Sequence, residues 1–466
     1  MSRDATTEVG PTRDPGQKRR EPASAVGLVV VWSAEGPHAL GAFVPVVQPV
    51  TYGREGDATR FHQRPGENVA LEAPSGNRLS RLQLRLAPLS GGRISVERLG
   101  RATVRVRGDR VEQAVLSPGD TLEIADHALF LCVQRPERLP PAVDAATLAR
   151  FDAPFGGPDP FGLVGESPAL WALRDRLAFV APRPGHVLVL GPSGVGKELV
   201  ARAVHRLSTR AGGPFVARNA ATIPASLADA ELFGHARHYP NTGMPERAGL
   251  VGEADGGTLL LDEIGELPEA QQAHLLRLMD AGEYQRLGEP RTRHAQLRIV
   301  AATNRPPEAL KPDFLARFRH VIEVPPLAAR REDLPLLCRH LLQRALSDDT
   351  ALSARFSPDR VSVDLVEALL RHPLPLQMRA LDALLWRCLA KSPGPEVDVV
   401  EDLDLGGPTD VSDEQGPAGV DPASIDAETL RAALLEHQGV QERVWRALGL
   451  QSRYQLRRLL KKHDLG

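Results

Sequence analysis

Hydrophobic residues in the first third of the chain come in short runs separated by polar turns. Regular short strands of this kind predict an all-β sandwich over residues 25–136. The preceding residues 1–24 are charged and rich in Gly, Pro and Ser, which predicts a disordered tail. The predicted strands are Leu28–Trp32, Ala42–Val47, Val69–Leu71, Leu82–Leu86, Arg93–Glu97, Ala102–Arg107, Leu122–Ile124 and Leu129–Val133.

The middle of the chain has longer hydrophobic patterns of two kinds. Val187–Leu190 and Thr258–Leu261 are short, continuous apolar runs, which predict buried parallel strands. Residues 328–393 change to apolar spacings of helical period and predict a small helical lid. These patterns predict an α/β core over residues 160–327 with a helical lid. The Pro-, Ala- and Gly-rich residues 137–159 are expected to be a linker.

The end of the chain divides into an acidic and a basic part. Residues 394–423 contain nine Asp and Glu residues, all between 396 and 421, with no Lys or Arg, and predict a flexible linker. Residues 424–466 predict three helices, and the turn Leu448-Gly449-Leu450 is typical of a helix-turn-helix. Seven basic and no acidic residues lie between 443 and 462, so a basic surface is local to this segment.

Composition adds bounds but no specific function. The 466 residues carry a formal net charge of −2, so there is no global nucleic-acid signature. The three cysteines are far apart and have no metal-binding spacing. The sequence shows neither a signal peptide nor an apolar stretch long enough to cross a membrane, and we expect a cytoplasmic protein with no membrane partner.

A glycine-rich turn follows the first predicted parallel strand. Its spacing G-x-x-x-x-G-K is that of a P-loop, with Glu198 where Ser or Thr is usual. Glycines let backbone amides converge on a phosphate chain, and Lys197 at the start of a helix can reach the β- and γ-phosphates. The residues expected to bind ATP here are Gly191, Pro192, Ser193, Gly194, Val195, Gly196, Lys197 and Glu198.

The second predicted parallel strand ends in two carboxylates. We expect Asp262 to hold Mg²⁺ through water and Glu263 to polarise the attacking water. Together with the P-loop, these residues predict binding of Mg-ATP, with hydrolysis.

The N-terminal sandwich resembles a forkhead-associated (FHA) domain. The residues that carry the resemblance are Tyr52-Gly53-Arg54, Asn68–Leu71, Leu79-Ser80-Arg81 and Leu116–Leu122. The resemblance implies phosphothreonine binding through Arg54, Ser80 and Arg81. The chain departs from the family at Gln83, where His is usual, and at Arg107, where an asparagine is usual. The alternative is a scaffold sandwich that docks on the ATPase.

From Phe161 to the lid, the chain resembles the AAA+ domain of sigma-54-dependent transcription activators, the bacterial enhancer-binding proteins. The resemblance rests on Leu163–Pro168, the P-loop with Glu198, Ala203–Arg210, Pro214–Asn219, Glu231–His235, Arg298–Arg305 and Pro325–Asp333. It implies further catalytic residues: Asn219 as a switch beside Glu263, Arg317 as an arginine finger for the neighbouring subunit, and Lys311 in place of a second arginine. It also implies that Leu163, Val164, Thr303, Asn304 and Arg379 contact ATP, within a hexameric or heptameric ring.

One loop departs from this family. Members that act on sigma-54 carry G-A-F-T-G-A where this chain has His238-Tyr239-Pro240-Asn241-Thr242-Gly243. Proline fixes φ and removes a hydrogen-bond donor, so we expect a different conformation of the loop tip. Three interpretations therefore stay open: an ATP-driven activator of sigma-54 polymerase, a nucleotide-gated DNA-binding regulator, and an ATPase that acts on another protein.

The C-terminal segment resembles the Fis-type DNA-binding domain of enhancer-binding proteins, which implies a dimer. Arg453, Tyr454 and Arg457 are the expected groove contacts, and Arg458, Lys461 and Lys462 are the expected phosphate contacts. The sequence thus predicts a three-part transcription regulator that uses ATP and Mg²⁺ and binds DNA.

Overall fold

The computed structural model describes residues 24–75, 79–399 and 425–436, together with 444–445, 447–448, 450, 456, 459–460 and 462–463. The predicted tail 1–24 lies outside the described residues except for Ser24, and so does most of the predicted acidic linker. No helix among the described residues is long and apolar enough to cross a membrane.

The N-terminal part is all-β, as predicted. Its strands form an eight-stranded sheet of order β5-β4-β2-β1-β12-β11-β8-β9 and a four-stranded sheet of order β10-β7-β6-β3. All the pairings are antiparallel, and the residues that face inward from both sheets form one apolar core. The strands are β1 (Ser24–Ser33), β2 (Phe43–Pro45), β3 (Val50–Tyr52), β4 (Phe61–Arg64), β5 (Glu67–Ala70), β6 (Leu84–Leu89), β7 (Arg93–Arg98), β8 (Val104–Val106), β9 (Asp109–Arg110), β10 (Gln113–Leu116), β11 (Thr121–Ile124) and β12 (Ala128–Pro136).

Residues 137–159, predicted as a linker, lead into the central domain and pack against it. The segment contains the short helix α1 (Ala145–Leu148), which Asp144 caps by accepting a hydrogen bond from the backbone N–H of Thr147. Leu139, Leu148 and Phe151 are buried in the same apolar cluster as the central sheet. Their burial explains why a stretch rich in Pro and Ala follows a fixed path.

The central domain is an α/β layer structure around a parallel sheet of order β14-β15-β18-β13-β19. The three central strands, Val187–Leu190, Thr258–Asp262 and Arg298–Thr303, are mostly apolar and buried because helices cover both faces of the sheet. Its elements are α2 (Pro168–Val180), β13 (Val187–Leu190), α3 (Lys197–Arg206), β14 (Phe215–Asn219), α4 (Ala228–Phe233), α5 (Gly249–Glu253), β15 (Thr258–Asp262), α6 (Glu269–Ala281), β16 (Glu283–Gln285), β17 (Thr292–His294), β18 (Arg298–Thr303), α7 (Pro312–Leu315) and β19 (His320–Glu323), where β16 and β17 pair only with each other.

A helical lid follows the sheet. It consists of α8 (Leu334–Ser347), α9 (Thr350–Arg355), α10 (Val363–Arg371) and α11 (Met378–Lys391). Ser362 caps α10 by accepting a hydrogen bond from the N–H of Leu365, and leucines at helical spacing bury one face of each long helix.

The sandwich packs directly on this lid. Val29 and Val31 of β1, Leu129 and Leu131 of β12, and Phe43 belong to the same apolar cluster as the lid leucines. Trp32 donates its indole N–H to the carbonyl oxygen of Val361 at 2.7 Å, and the Thr121 hydroxyl donates to the Glu367 carboxylate at 3.1 Å. The N-terminal domain and the helical lid therefore share a hydrophobic interface.

The C-terminal segment is described only in part. Helix α12 (Ala427–Glu436) corresponds to the first of the three predicted helices. Eight buried residues form a small core: Ile425, Leu430, Ala433, Val444, Leu450, Leu456, Leu459 and Leu460. The other two predicted helices lie mostly outside the described residues.

Candidate functional site

The glycine-rich turn after β13 has the backbone geometry that its sequence predicts. Gly194 and Gly196 have φ values of +78° and +103°, in the left-handed region that glycine adopts without steric cost. Gly196 immediately precedes α3, whose first residue is Lys197. Backbone N–H groups and the positive end of the helix dipole thus point to one place, an arrangement suited to phosphate.

Lys197 lies inside the turn. Its side chain is buried, and its ammonium group donates to the carbonyl oxygens of Gly191 at 3.1 Å and Pro192 at 3.3 Å. The same Nζ atom lies 3.7 Å from a carboxylate oxygen of Glu263. Two motifs that are 66 positions apart in sequence therefore meet, which brings a phosphate-binding cation beside a candidate base.

The parallel sheet explains this meeting. Leu190 and Thr303 are paired in register, and so are Asn219 and Asp262, so the carboxyl ends of four strands lie along one edge. This edge is where α/β sheets bind ligands. The loops after β13, β14, β15 and β18 supply all of the core residues predicted for the site.

Glu263 has a backbone conformation that is unusual for its residue type. Its φ and ψ are +50° and +47°, in the left-handed region, and its N–H donates to the Asp262 carboxylate at 3.0 Å. Non-glycine residues in this region cost about 1–3 kcal/mol and are concentrated at functional sites. The turn directs two successive carboxylates differently, so that Glu263 reaches Lys197 while Asp262 stays at the strand end.

The other residues predicted at this edge have defined partners. The Asn219 carboxamide oxygen accepts from the N–H of Ala221 at 2.9 Å. Thr303 is fully buried, and its carbonyl accepts from the N–H of Gly191 at 3.3 Å, which ties the predicted sensor strand to the P-loop. Asn304, the next residue, is exposed.

The lid contacts the P-loop directly. The guanidinium group of Arg379 lies 3.4 Å from the Ser193 hydroxyl, and the N–H of Met378 donates to the carbonyl of Gly194 at 3.2 Å. A Cβ atom on Gly194 would lie 2.4 Å from the carbonyl oxygen of Leu376. The lid segment before α11 thus closes over the phosphate-binding turn.

The remaining residues predicted to bind ATP are at the edges of the site. Glu198 is exposed and forms an i,i+4 ion pair with Arg202 at 2.7 Å, so its carboxylate faces solvent. Val195 is buried under the turn, and Leu163 and Val164 are buried where the chain enters the domain.

The two predicted finger residues are not part of this chain's own site. Arg317 pairs with Asp280 at 2.5 Å, and Lys311 pairs with Glu269 at 2.9 Å. Both side chains are about 40% exposed, which leaves them accessible to another molecule.

Gln377 and Asp333 are two structural supports of the site that sequence reasoning missed. Gln377 has a φ of +52° and accepts the N–H of Leu327 at 2.7 Å, which fixes the junction between core and lid. The buried Asp333 accepts from the N–H groups of Glu166 and Ser167 at 2.7 and 2.9 Å. The only sequence signal for either is position: Asp333 ends the resemblance segment Pro325–Asp333, and Gln377 lies two residues before Arg379.

In the sandwich, the residues predicted to bind phosphothreonine lie on two neighbouring loops. The N–H of Arg54 donates to the carbonyl of Ser80 at 3.2 Å, and Arg81 pairs with Glu55 at 3.3 Å. The Ser80 hydroxyl accepts from the N–H of Arg101 at 2.9 Å. Gln83 is fully buried and donates to the Ala102 carbonyl at 2.9 Å, so it supports the loop from below.

The predicted DNA contacts can be placed only in part. Lys462 is exposed. Arg453, Tyr454, Arg457, Arg458 and Lys461 lie outside the described residues.

Comparison with known proteins identifies the domain that carries the nucleotide-type site. Residues 163–320, about a third of the chain, match the family described as the Sigma-54 interaction domain. Transcriptional regulatory protein ZraR of Klebsiella oxytoca is 36% identical over 301 residues, which cover 62% of this chain and 66% of ZraR. Nitric oxide reductase transcription regulator NorR1 of Cupriavidus necator is 38% identical over 327 residues, covering 65% and 62% respectively.

A solved structure of NtrX from Brucella abortus in complex with ATP is 30% identical, with coverage of 65% of this chain and 69% of NtrX and a TM-score of 0.46. The chain spans slightly less than two thirds of the length of the curated relatives above. The family match assigns residues 163–320 to the Sigma-54 interaction domain, and the chain is homologous to proteins named as transcriptional regulators.

Proposed function

We propose that this chain, built around a sigma-54 interaction domain, is a DNA-binding transcription regulator that binds and hydrolyses Mg-ATP in a ring of identical subunits. The observation that carries the proposal is the 3.7 Å approach of Lys197 and Glu263 at the carboxyl edge of the sheet. The relatives named as transcription regulators support the biological role.

In this proposal, each residue of the edge has one role. Lys197 and the N–H groups of the turn bind the β- and γ-phosphates, and Glu263 orients and polarises the attacking water. Asn219 and Thr303 position Glu263 and the γ-phosphate end of the site. Arg379 reaches the phosphates from the lid. Its guanidinium group already lies beside the hydroxyl of Ser193 in the glycine-rich turn.

The residues at the strand end fit a magnesium ion. Asp262 is a half-buried carboxylate next to the phosphate-binding turn, and carboxylates that act through water are typical Mg²⁺ ligands. The ion would neutralise charge on the phosphates. Glu198, at the position that usually supplies a hydroxyl ligand, is turned to solvent by Arg202.

The exposed Arg317 supports the ring. An arginine that a neighbouring subunit supplies can stabilise the transition state for phosphoryl transfer, worth about 10³–10⁵ in rate. Arg317 is held by a solvent-exposed pair with Asp280, and such pairs contribute only about 0–1 kcal/mol. Movement of the Arg317 side chain from Asp280 to the ATP of a neighbouring subunit therefore costs little free energy.

The sandwich is proposed to regulate the ATPase through the lid. Because it packs on α8 and α10, any movement of the sandwich is transmitted to the lid, whose α11 carries Arg379. The FHA assignment and phosphothreonine binding through Arg54, Ser80 and Arg81 are part of this proposal. DNA binding by the C-terminal segment is a further part.

A second candidate function has a specific observation behind it. In the loop that departs from G-A-F-T-G-A, His238 has a φ of +68°, its N–H donates to the Met244 carbonyl at 2.9 Å, and Tyr239 packs on Gly288. All six loop residues, 238–243, are exposed, and Tyr239 lies against Gly288 of the same domain. With Pro240 at the position of the Phe in G-A-F-T-G-A, this loop favours an ATPase that acts on another protein, or a nucleotide-gated DNA-binding regulator, over an activator of sigma-54.

Trapping of the ring with a transition-state analogue of ATP separates these candidates. The full chain would be incubated with ADP, an aluminium or beryllium fluoride and purified sigma-54, then passed through a sizing column. Co-elution with sigma-54 supports the activator. A ring that forms but does not retain sigma-54 supports an ATPase with another target. The absence of any ring supports the nucleotide-gated regulator.

A further inference from the structure

A second cavity lies at the opposite end of the central sheet from the nucleotide-type site. It has a volume of about 360 Å³ and is formed by the turns that precede β13 and β18 and the loop that follows α3. Its polar lining consists of Arg183, His186, Ser208, Thr209, Arg210 and Arg298, and the lining includes no acidic residue. The size falls within the usual range for a small-molecule site.

The arginines of this cavity are held by carbonyl oxygens. Arg210 donates to the carbonyl of Gln296 at 2.6 Å, and Arg183 donates to that of Phe179. The buried Arg298 donates to the carbonyls of Ala181 at 2.7 Å and Gly185 at 2.8 Å. Among the described residues, we find no carboxylate in an ion pair with any of these three groups.

Capping of a helix explains only part of this cluster. The partners of Arg298 include Val180 and Ala181 at the C-terminal end of α2, where a cation is stabilised by the helix dipole. Arg183, whose partner Phe179 is also in the last turn of α2, shares this helix end, whereas Arg210 donates to Gln296 outside any helix; both side chains are half-buried. Their presence leaves a net positive charge inside a concave surface.

The electrostatics point the same way. Burial and, to a smaller extent, the charge of Arg210 lower the pKa of Arg298 to about 10. Asp280, whose charge acts on His186, is paired with Arg317. Arginines gathered in a partly enclosed site without a paired carboxylate are stabilised by an anion, and guanidinium groups match phosphate oxygens in geometry.

We propose that this cavity is a phosphate-binding site, distinct from the P-loop, in which Arg183 and Arg210 contact the oxygens of a phosphate group. Ser208 and Thr209 line the same wall and add hydroxyl groups. The phosphate belongs either to a small free molecule or to the backbone of DNA that passes the domain. The proposal does not depend on the transcriptional role.

The test uses the full chain with its P-loop saturated by a non-hydrolysable Mg-ATP analogue, so that the γ-phosphate position is filled and added phosphate cannot bind there. Inorganic phosphate and pyrophosphate are titrated by calorimetry into the wild type, Arg183→Gln/Arg210→Gln and the control Arg277→Gln, an exposed arginine on α6. Loss of one charge-assisted hydrogen bond weakens binding about tenfold or more. We expect the double variant to bind at least tenfold more weakly and the control to match the wild type.

A separate measurement tests whether DNA supplies the phosphate. Each phosphate contact contributes about 0.9 to the slope of log affinity against log salt for duplex DNA. If DNA supplies the phosphate, loss of this one phosphate contact in the double variant lowers the slope by about 1 on a short duplex, and Arg277→Gln leaves it unchanged. Equal phosphate, pyrophosphate and DNA binding in all three proteins, or no binding of any, would overturn the proposal.

A conservative variant guards against misfolding. Arg210→Lys keeps the positive charge but lacks the planar guanidinium group. We therefore expect this variant to fold like the wild type and to bind phosphate several-fold more weakly. Wild-type affinity in this variant together with wild-type affinity in the double variant would also count against the site.

Discussion

The ion pair between Arg135 and Glu332 offers a sharp test of how the sandwich is joined to the ATPase. Arg135 is on β12 and Glu332 lies two residues before the start of α8, and their side chains are 3% and 12% exposed with N and O atoms 3.2 Å apart. The guanidinium group also lies 5.0 Å from the Phe43 ring centre. The pair thus joins the two domains at a site with little access to water.

Arg135→Met removes the charge and keeps the aliphatic stem. Removal of one partner of a buried pair leaves the other charge uncompensated, at a cost of about 3–5 kcal/mol. Replacement of both, as Arg135→Met/Glu332→Leu, removes the charge problem, so most of this loss is regained. Arg138→Met, an exposed arginine in the same segment, is the matched control and is expected to change stability by less than about 0.5 kcal/mol.

The pH dependence gives a second readout. Burial raises the pKa of the Glu332 carboxyl group, and Arg135 opposes that rise. Without Arg135 the folded-state pKa rises further above the unfolded one, so the folded state binds the proton more tightly. The stability of Arg135→Met should therefore be greatest at acidic pH and fall as pH rises through that pKa.

Urea denaturation followed by fluorescence, at about pH 5 and about pH 8, measures both effects. We expect the cost of Arg135→Met to be larger at the higher pH. A loss of unfolding free energy below about 1 kcal/mol in Arg135→Met would refute the buried-pair account. A double variant whose loss equals the sum of the losses in Arg135→Met and Glu332→Leu would refute it too.

Three further predictions concern the nucleotide-type site and the cysteines. Gly194→Ala should abolish tight ATP binding, measured by equilibrium titration, because it strains a left-handed residue and drives a Cβ to 2.4 Å from the Leu376 carbonyl oxygen; wild-type affinity would contradict this. Arg317→Ala should lower the rate of ATP hydrolysis at least a hundredfold while ATP affinity is kept, and an unchanged rate would remove it as a finger. A thiol reagent should react slowly with the native chain and fast with the unfolded one, because Cys132, Cys338 and Cys388 are buried and burial raises the pKa of the Cys132 and Cys338 thiols; fast labelling of the native chain would contradict these buried positions.

The P-loop and its partner strand were predictable because their signals are local. Val187–Leu190 is apolar at every position, and glycines at 194 and 196 stand where the turn needs a positive φ. The strand order and the register between Leu190 and Thr303 had no such local signal and come from the structure.

The docking of the sandwich had no local signal. Trp32 and Val361 are 329 positions apart, and Thr121 and Glu367 are 246 apart. The outward-facing valines of β1 were read as ordinary strand residues, since a sequence pattern shows which face is apolar but not what covers it. The sequence predicts docking of the sandwich on the ATPase only as an alternative, and the structure places the interface on the lid.

Two features escaped prediction for a different reason. Leu374 and Gln377 have positive φ values of 45° and 52°, which residue type disfavours. Such conformations are imposed by tertiary contacts, here the bond from the Leu327 N–H to the Gln377 side chain. Four strands of the sandwich, β3, β4, β9 and β10, are short and polar and were also missed.

The central claim is a shared ATPase site, and its most direct test is the rate of ATP hydrolysis per subunit as a function of protein concentration. Wild type, Glu263→Gln and the exposed control Glu253→Gln would be compared with Mg²⁺ present. The account predicts a rate that rises steeply with concentration as rings form, is lost in Glu263→Gln and is unchanged in Glu253→Gln. A rate per subunit that does not depend on concentration, or one that survives Glu263→Gln, would contradict it.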